Sequence, residues 1–262
     1  RIMQEMLLGI GGVRLLRALG IKPSTFHMNE GHAAFLTLEL IREKIAGGKN
    51  AQAALDETRQ ECLFTTHTPV EAGHDRFSPD LMNYAMQRYQ TQIGIPFGDV
   101  MALGRVDPKN ESEPFCMTVL ALKLSRAANG VSELHGRVSR HMWQSLYPGK
   151  TVDQVPIGHV TNGIHLLGWM KGPVRRFWRQ KLSNEGDKSA SGDTTQFWRS
   201  KNTNWAGELN SPEFWTRMLD PKFISDEEIW ALRYKLRREL IEFARRRLLI
   251  HGHRLTQGDY IT

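Results

Sequence analysis

Two histidine-rich segments contain the side chains of this sequence that are best suited to chemistry: HMNEGH at residues 27–32 and FTTHTPVEAGHDRF at residues 64–77. Their side chains of metal-ligand type include His27, Glu30, His32, His67, Glu71 and His74. The HExxH zinc motif places its histidines four residues apart on one helix face, whereas His27 and His32 are five residues apart. We therefore predict that no metal binds here.

Nucleophilic and hydrolytic chemistry has little support in the sequence. A serine hydrolase of the GxSxG type is disfavoured because that motif is absent. Cys62 and Cys116 lie in apolar surroundings, which are typical of packed rather than reactive cysteines. The carboxylates of Glu30, Glu71 and Asp75 have no spacing that would place an acid opposite a base, although the sequence leaves a glycosidase open.

Three short turns share a different property, at residues 29–32, 66–68 and 161–163. Between them they carry amide, imidazole, hydroxyl and carboxylate groups, together with glycines that let a ligand approach the backbone. Directional donors and acceptors of this kind suit the many hydroxyls of a sugar better than they suit a phosphate chain or an apolar ligand. The turns therefore predict a carbohydrate site.

The elements around these turns predict how they are positioned. Short apolar runs at residues 61–66, 127–131 and 156–161 predict strands. Apolar spacing and capping residues predict helices at residues 33–45, 51–59, 78–92, 117–126 and 132–143. Strands that alternate with helices indicate an α/β fold, whose ligands bind outside the carboxyl ends of the strands.

The two ends of the chain predict further helices. Residues 1–20 have a helical pattern that Gly9, Gly11 and Gly12 are expected to interrupt. A capping box formed by Ser225 and Glu228 predicts the start of a long helix with an apolar stripe for packing. Residues 233–254 of that helix carry a surplus of six positive charges, nearly all of the net charge of +7. The polar residues 183–204 predict a flexible surface loop.

Composition limits the class of protein. With 262 residues, 40% of them hydrophobic and 24% charged, the chain is typical of a folded, water-soluble protein. It contains two cysteines, no signal peptide and no apolar segment long enough for a membrane span, so we predict a cytoplasmic location. Because it begins with Arg1 and ends directly after a basic segment, we predict that it is part of a longer polypeptide.

Four motifs in a fixed order carry a family resemblance: HMNEGHAAFLTLELIRE, TTHTPVEAGHDRF, LSRAANGVSELHG and VTNGIH. The series resembles the α-glucan phosphorylases of glycogen and maltodextrin, and in particular their shorter microbial branch. The resemblance covers residues 1–169 and resumes at residue 225. It implies an incomplete part of a two-domain, Rossmann-like glycosyltransferase (GT-B) architecture. Residues 1–163 would be the latter part of the N-terminal domain, and residues 164–262 the helical entry to the second.

The resemblance also implies a reaction. The terminal glucosyl unit of an α-1,4-glucan would pass to inorganic phosphate and give glucose 1-phosphate. The cofactor would be pyridoxal 5′-phosphate, held by a lysine that this chain does not contain, so we expect the chain alone to be inactive. The implied partners are the glucan and phosphate, with a possible homo-oligomer and with no nucleic acid or membrane.

The resemblance assigns roles to individual residues by their motifs. His67 would be the catalytic residue, holding the glucosyl unit through its ring and offering its main-chain carbonyl to the developing oxocarbenium charge. Asn162 would hydrogen-bond the same sugar. Further glucan contacts are expected from Asn29, Glu30, His32, Glu71 and Arg76. For Glu71 and Arg76, a structural ion pair is an equal alternative.

Two other functions stay open. A nucleotide-sugar-dependent glucan synthase would share the same architecture, because fold does not determine function. A non-catalytic glucan-binding or assembly module would use the same turns without turnover. Binding of nucleic acid or an acidic membrane by the basic helix is disfavoured, because an apolar stripe indicates ordinary packing with a solvated basic face.

Overall fold

The computed structural model describes residues 1–183 and 205–256, with side chains described up to residue 250. The loop predicted at residues 183–204 therefore lies, after Ser183, outside the described residues. The chain divides into two compact units, Arg1–Asn162 and Gly163–Thr262, which are treated separately below. The assignment of these units to the domains of a glycosyltransferase stays a prediction.

A four-stranded parallel sheet organises the first unit. Its strands are β1 (Phe26–Asn29), β2 (Cys62–Thr65), β5 (Ala127–Gly130) and β6 (Ile157–His159), in the order β1-β2-β5-β6. Cys62 lies opposite Phe26, and Ile157 lies opposite Ala128. Two shorter strands, β3 (Arg76–Phe77) and β4 (Phe115–Cys116), form a separate antiparallel pair. The predicted α/β class is confirmed, and the parallel sheet is compatible with a Rossmann-like domain.

Eight α-helices connect or flank these strands: α1 (Ile2–Met6), α2 (Gly12–Ala18), α3 (Leu36–Ala46), α4 (Ala51–Glu61), α5 (Pro79–Ile93), α6 (Phe97–Leu103), α7 (Met117–Lys123) and α8 (Glu133–Met142). Their first turns follow from local chemistry. The side chains of Asn50, Ser78 and Ser132 accept hydrogen bonds from backbone N–H groups at the starts of α4, α5 and α8. The sequence predicted the start of α5 at Ser78 and that of α8 at Ser132.

The expected interruption of the first helix is wrong. The segment Leu7–Gly11 is a π-helical turn that joins α1 directly to α2. A Cβ atom on Gly9 would lie 2.7 Å from the backbone nitrogen of Leu36. Glycine is therefore needed because this helix lies against the backbone at the start of α3, and the glycine is a packing device rather than a helix break.

Strand β1 was missed in the sequence, where HMNEGH was assigned to a loop. Phe26 and Met28 are buried while His27 and Asn29 are exposed, so the segment has the two-residue period of a half-buried strand. Four residues are too few for this alternation to stand out, and pairing with β2 stabilises the strand.

The core of the first unit contains large apolar side chains from several elements. Phe35, Phe64, Phe115 and Met28 are all fully buried, and each contributes about 1.5–3 kcal/mol through burial. The rings of Phe35 and Phe115 stack with centroids 5.9 Å apart. A Cβ atom on Gly104 would lie 2.3 Å from the Phe115 ring, so only glycine fits beside this pair.

Glycines also bring α8 close to the sheet. A Cβ atom on Gly130 would lie 2.8 Å from the backbone nitrogen of Gly136, and one on Gly136 would lie 3.0 Å from the carbonyl oxygen of Gly158. The glycines of the ANG and LHG motifs therefore allow helix α8 to pack directly against β5 and β6. This contact holds the end of β5 in place beneath the loops that follow the strands.

The second unit is helical over its described residues, with α9 (Leu166–Trp169), α10 (Gly172–Ser183), α11 (Trp205–Glu208), α12 (Pro212–Arg217) and α13 (Asp226–Thr256). Its core contains Trp178 and Phe214, whose rings meet edge to face at 5.1 Å. The predicted capping box is confirmed: the backbone N–H of Ser225 donates to Glu228, and that of Glu228 donates to the Ser225 hydroxyl.

The apolar stripe of α13 differs from its prediction. Leu232 and Leu236 are half-buried, but Leu240, Phe243 and Leu248 are 63%, 54% and 71% exposed, so the described residues cover the stripe only in the first half of the helix. Over the described part of the chain, α13 and the shorter helices alike lack the length and apolar character that a membrane span requires.

Candidate functional site

The predicted site loops all leave the sheet at one edge. Residues 30–33 follow β1, residues 66–70 follow β2, residues 131–132 follow β5 and residues 160–162 follow β6. Because the four strands are parallel, their carboxyl ends lie side by side at what we name the carboxyl edge. Long-range pairing alone creates this arrangement, because neighbouring loops are separated by up to about 60 residues of sequence.

Backbone hydrogen bonds continue the sheet into these loops. The N–H of Glu30 donates to the carbonyl of Thr65 at 2.8 Å, and the N–H of Thr66 donates to the carbonyl of Asn129 at 3.0 Å. The N–H of Asn162 donates to the carbonyl of Val131 at 3.1 Å. The first residues of each loop are therefore held as firmly as the strands, and their side chains have defined directions.

His67 and Asn162, the two residues expected to meet the sugar, are both exposed at this edge. His67 follows β2 and Asn162 follows β6, with only β5 between these strands. Two strand spacings amount to roughly 10 Å, a gap into which two side chains and one ligand can fit. Neither residue is buried in the core.

Glu30 lies beneath the loop that carries His67. Its carboxylate accepts hydrogen bonds from the Thr66 hydroxyl at 3.3 Å, the His67 backbone N–H at 2.8 Å and the Thr68 hydroxyl at 2.7 Å. The side chain is buried, and both carboxylate oxygens are engaged within the protein. The resemblance placed Glu30 among the expected glucan contacts, but the sequence contained no signal for these three hydrogen bonds.

The backbone of Glu30 is also unusual. Its φ of 69° and ψ of 170° lie in a region that is populated almost only by glycine. It is the one residue other than glycine with a positive φ in the described part of the chain. Such a conformation costs about 1–3 kcal/mol, which the surrounding hydrogen bonds have to offset.

A chain of side-chain hydrogen bonds crosses three strands at the carboxyl edge. The Thr65 hydroxyl donates to the side-chain carbonyl of Asn129 at 3.0 Å, and His27 Nε2 lies 2.8 Å from the same hydroxyl. Because that hydroxyl has a single proton, His27 must carry its proton on Nε2 and donate. The chain fixes the relative position of β1, β2 and β5 immediately below the site loops.

The ANGVSELH segment, residues 128–135, has an architectural role. The backbone N–H of Val131 donates to Nδ1 of His135 at 3.2 Å, and the Ser132 hydroxyl accepts from the backbone N–H of His135. His135 is buried, so its ring closes the turn between β5 and α8 and does not face a ligand. Asn129 in turn donates to the carbonyl of Gly130.

His32, a predicted glucan contact, lies in a charged cluster beside the loops. Its Nδ1 is 3.0 Å from the Arg1 guanidinium and 3.4 Å from the Asp75 carboxylate. Arg1 donates to Asp75 at 2.8 Å and lies 3.1 Å from Glu5. Glu5, His32 and Asp75 are the described residues whose spacing would suit a metal ion, but Arg1 already supplies positive charge to both carboxylates.

The same cluster shares a proton. Burial, and to a smaller extent the neighbouring Asp75 carboxylate, raise the pKa of Glu5 to about 8. Burial alone would raise the pKa of Asp75 too, but hydrogen bonds from Arg1 and Glu5 lower it below its usual range. Near neutral pH Glu5 is therefore protonated and donates to Asp75, which leaves one negative charge opposite Arg1.

His74 is a structural residue. Its Nδ1 lies 2.8 Å from the Thr118 hydroxyl, and its ring meets the Trp143 ring edge to face at 4.9 Å. Burial lowers the pKa of His74, so the ring stays neutral over a wider pH range than a free histidine. This ring is not available to a ligand.

The remaining predicted contacts lie at the surface. Arg76 donates a hydrogen bond to Glu71 at 3.0 Å, and 74% of the Glu71 side chain is exposed. The two residues therefore form the ion pair that was the alternative to a glucan contact. Asn29 is exposed at the end of β1. Cys62 is buried, and burial raises its pKa to about 12, so it is not a nucleophile at neutral pH.

The residues at the carboxyl edge do not fit the cofactor that the resemblance implies. No lysine occurs among the residues that directly follow the four strands of the sheet. Lys123, which is partly buried, donates to the carbonyls of Ala102 and Arg105 and offers no free amine. We therefore assign no residue of this edge to the pyridoxal phosphate.

Comparison with known proteins adds independent evidence. No family model matches the chain. It is 35% identical over 263 aligned residues to the maltodextrin phosphorylase of Thermococcus litoralis, which covers 97% of the chain. It is 38% identical to the glycogen phosphorylase of Mycobacterium tuberculosis over 95% of the chain, and 30% identical to that of Aquifex aeolicus over 92%. The chain spans 27%, 27% and 31% of the lengths of these relatives.

Proposed function

This chain belongs to the glucan phosphorylase family, and from that premise we propose that its carboxyl edge binds the terminal glucosyl unit of an α-1,4-glucan. The enzyme would be a glycosyltransferase that passes this unit to inorganic phosphate and gives glucose 1-phosphate. Because the chain spans about a quarter of its relatives' length, the substrates and the activity are proposals for the polypeptide in which these residues occur.

His67 and Asn162 carry the proposal. Both are exposed at the carboxyl edge, on the loops that follow β2 and β6. The backbone N–H groups of Thr66 and Asn162 hold these loops to the carbonyls of Asn129 and Val131 at the end of β5. The His67 ring would hydrogen-bond a sugar hydroxyl, and its carbonyl would face the positive charge that develops at the anomeric carbon. The Asn162 amide, which offers both a donor and an acceptor, would bind the same ring from the other side.

The supporting residues suit a binding edge that has to be rigid before the substrate arrives. The hydrogen bonds from His27 through Thr65 to Asn129 keep the strand ends in register. Preorganised donors need no rearrangement as charge develops, which is how a protein of this kind contributes to glycosyl transfer.

Further features are proposed from family membership alone. They are a two-domain GT-B architecture, pyridoxal 5′-phosphate as the cofactor, a cytoplasmic location and assembly as a homo-oligomer. We propose no nucleic-acid or membrane partner.

The test uses the protein encoded by the complete coding frame in which these residues occur. The purified protein is incubated with maltodextrin and inorganic phosphate, and glucose 1-phosphate is measured. His67→Ala is expected to lower kcat/KM about 100-fold, because an interaction made in the transition state is lost. His141→Ala is the matched control, since His141 is an exposed histidine of helix α8.

Each alternative function has its own outcome in this assay. Release of glucose without a requirement for phosphate would indicate a hydrolase, and glucan extension from a nucleotide sugar would indicate a synthase. Glucan binding without any turnover would indicate a binding module. Full activity of His67→Ala would contradict the role proposed for this edge.

A further inference from the structure

We propose that Glu30 is a positioning residue, whose carboxylate holds residues 66–68 in the one conformation that presents His67 to the glucosyl unit. This inference rests on the proposed function, because it assigns Glu30 a task in the same site. It differs from the expectation that Glu30 itself contacts the glucan. Glu30 would act through His67 and would not touch the substrate.

The hydrogen bonds of Glu30 are the first argument. They come from three consecutive residues, with Oε1 accepting from Thr66 and Oε2 accepting from the His67 backbone and Thr68. A carboxylate bound by three successive donors fixes the path of that loop more firmly than a single contact does. Since both oxygens serve the loop, direct binding of a sugar hydroxyl is a weaker explanation.

The partners of Glu30 are the second argument. All three donors are neutral, and within the described residues no guanidinium or ammonium group forms a hydrogen bond or ion pair with this buried carboxylate. A buried charge without a cationic partner depends on its hydrogen bonds. Moving residues 66–68 would leave the carboxylate unpaired, so the loop and Glu30 hold each other in place.

The backbone of Glu30 is the third argument. Glycine would adopt a φ of 69° and a ψ of 170° without strain, yet this position has a glutamate. The backbone conformation favours glycine, but a glutamate is present. What the glutamate side chain adds at this position is its hydrogen bonds to the loop of His67. Strained residues of this type concentrate at functional sites.

The test compares Glu30→Gln with wild type in the protein of the complete coding frame. Glutamine keeps the length of the side chain, but its NH₂ group cannot accept a hydrogen bond. We expect kcat for phosphorolysis to fall about tenfold while KM changes less than about twofold, because a misplaced His67 loses mainly transition-state contacts. Glu57→Gln, a surface carboxylate of α4 outside the site, is the matched control.

A double-mutant cycle separates positioning from direct contact. If Glu30 acts through His67, Glu30→Gln added to His67→Ala should lower kcat much less than it does alone. If the two effects multiply in full, Glu30 contacts the substrate independently and the inference is wrong.

Hydrogen exchange of the His67 amide gives a second measurement that needs no activity. Glu30→Gln should speed exchange at this amide about tenfold or more, while amides of β2 and β5 keep their protection. Unchanged exchange at His67 would overturn the inference. Full activity of His67→Ala would contradict the proposed function instead, and the exchange measurement would still decide whether Glu30 holds the loop.

Discussion

Two buried glutamates, nine residues apart in the sequence, have opposite surroundings. Glu39 on helix α3 accepts hydrogen bonds from the guanidinium groups of Arg14 and Arg42 and from the hydroxyl of Tyr89. Glu30 at the carboxyl edge accepts only from neutral groups of one loop. Burial would raise the pKa of Glu39, but its hydrogen bonds lower it below the usual range.

This difference in hydrogen-bond partners indicates that Glu39 stabilises the fold, whereas Glu30 shapes a site. Glu39 joins three helices, since Arg14 belongs to α2, Glu39 to α3 and Tyr89 to α5. Two of its three partners carry the opposite charge, and all three lie in regular structure. Glu30 joins a strained backbone to a surface loop, which adds little to the core. A buried carboxylate therefore has to be interpreted through its partners, because burial alone does not reveal its role.

Glu39→Ala is expected to have the largest effect on stability. Removing one member of a buried ionic network leaves Arg14, Arg42 and Tyr89 without their common acceptor, and this should cost about 3–5 kcal/mol in the free energy of unfolding. Denaturant titration of the chain measures it. Glu43→Ala is the control, because Glu43 pairs with Arg17 nearer the surface. A loss of less than about 1 kcal/mol would contradict the comparison.

Glu30→Gly is expected to have a smaller effect. Relief of about 1–3 kcal/mol of backbone strain should offset part of the loss of the three hydrogen bonds, so Glu30→Gly should destabilise the chain less than Glu30→Ala does. Glu30→Ala is the matched variant, since it removes the same carboxylate but retains the strained φ. If the alanine variant were as stable as the glycine variant in denaturant titration, Glu30 would not be strained.

The pH dependence of stability should show the smallest effect. Because burial lowers the pKa of His74, the unfolded chain binds a proton more readily than the folded chain does. Stability should therefore fall as the pH drops below about 6.5, the ordinary pKa of histidine, and should level off below the folded pKa. His74→Asn should remove this component from the pH profile of the unfolding free energy. A profile unchanged in that variant would contradict it.

Sequence reasoning succeeded where the signal is local. The hydroxyls of Ser78, Ser132 and Ser225 each accept a hydrogen bond from a backbone N–H three residues later in the chain. Because this contact is local, the sequence alone predicts these helix starts. Strands β2, β5 and β6 lie within predicted apolar runs. Strand β1 was missed because its four residues are stabilised by pairing with β2.

The carboxyl edge was predictable only in part. A parallel sheet places the loops after its strands at one edge, so the grouping of residues 66–70 and 160–162 follows from the α/β class. That residues 30–33 join them depends on strand β1, which was missed. The role of Gly9 was misjudged, because the close approach of Leu36 is not encoded in the local pattern. The exposure of the apolar stripe of α13 was not predicted for a similar reason, because an apolar stripe does not specify which residues cover it.

The sequence by itself determined the class of fold, the positions of most helices and strands, and the motifs that place the chain in its family. Those properties depend on period, on capping and on residue order, which are readable along the chain. Only the tertiary structure decided that Glu30 supports the loop of His67 and that Glu39 joins three helices. Their hydrogen-bond partners lie 25–50 residues away, apart from Arg42, and only folding brings them together.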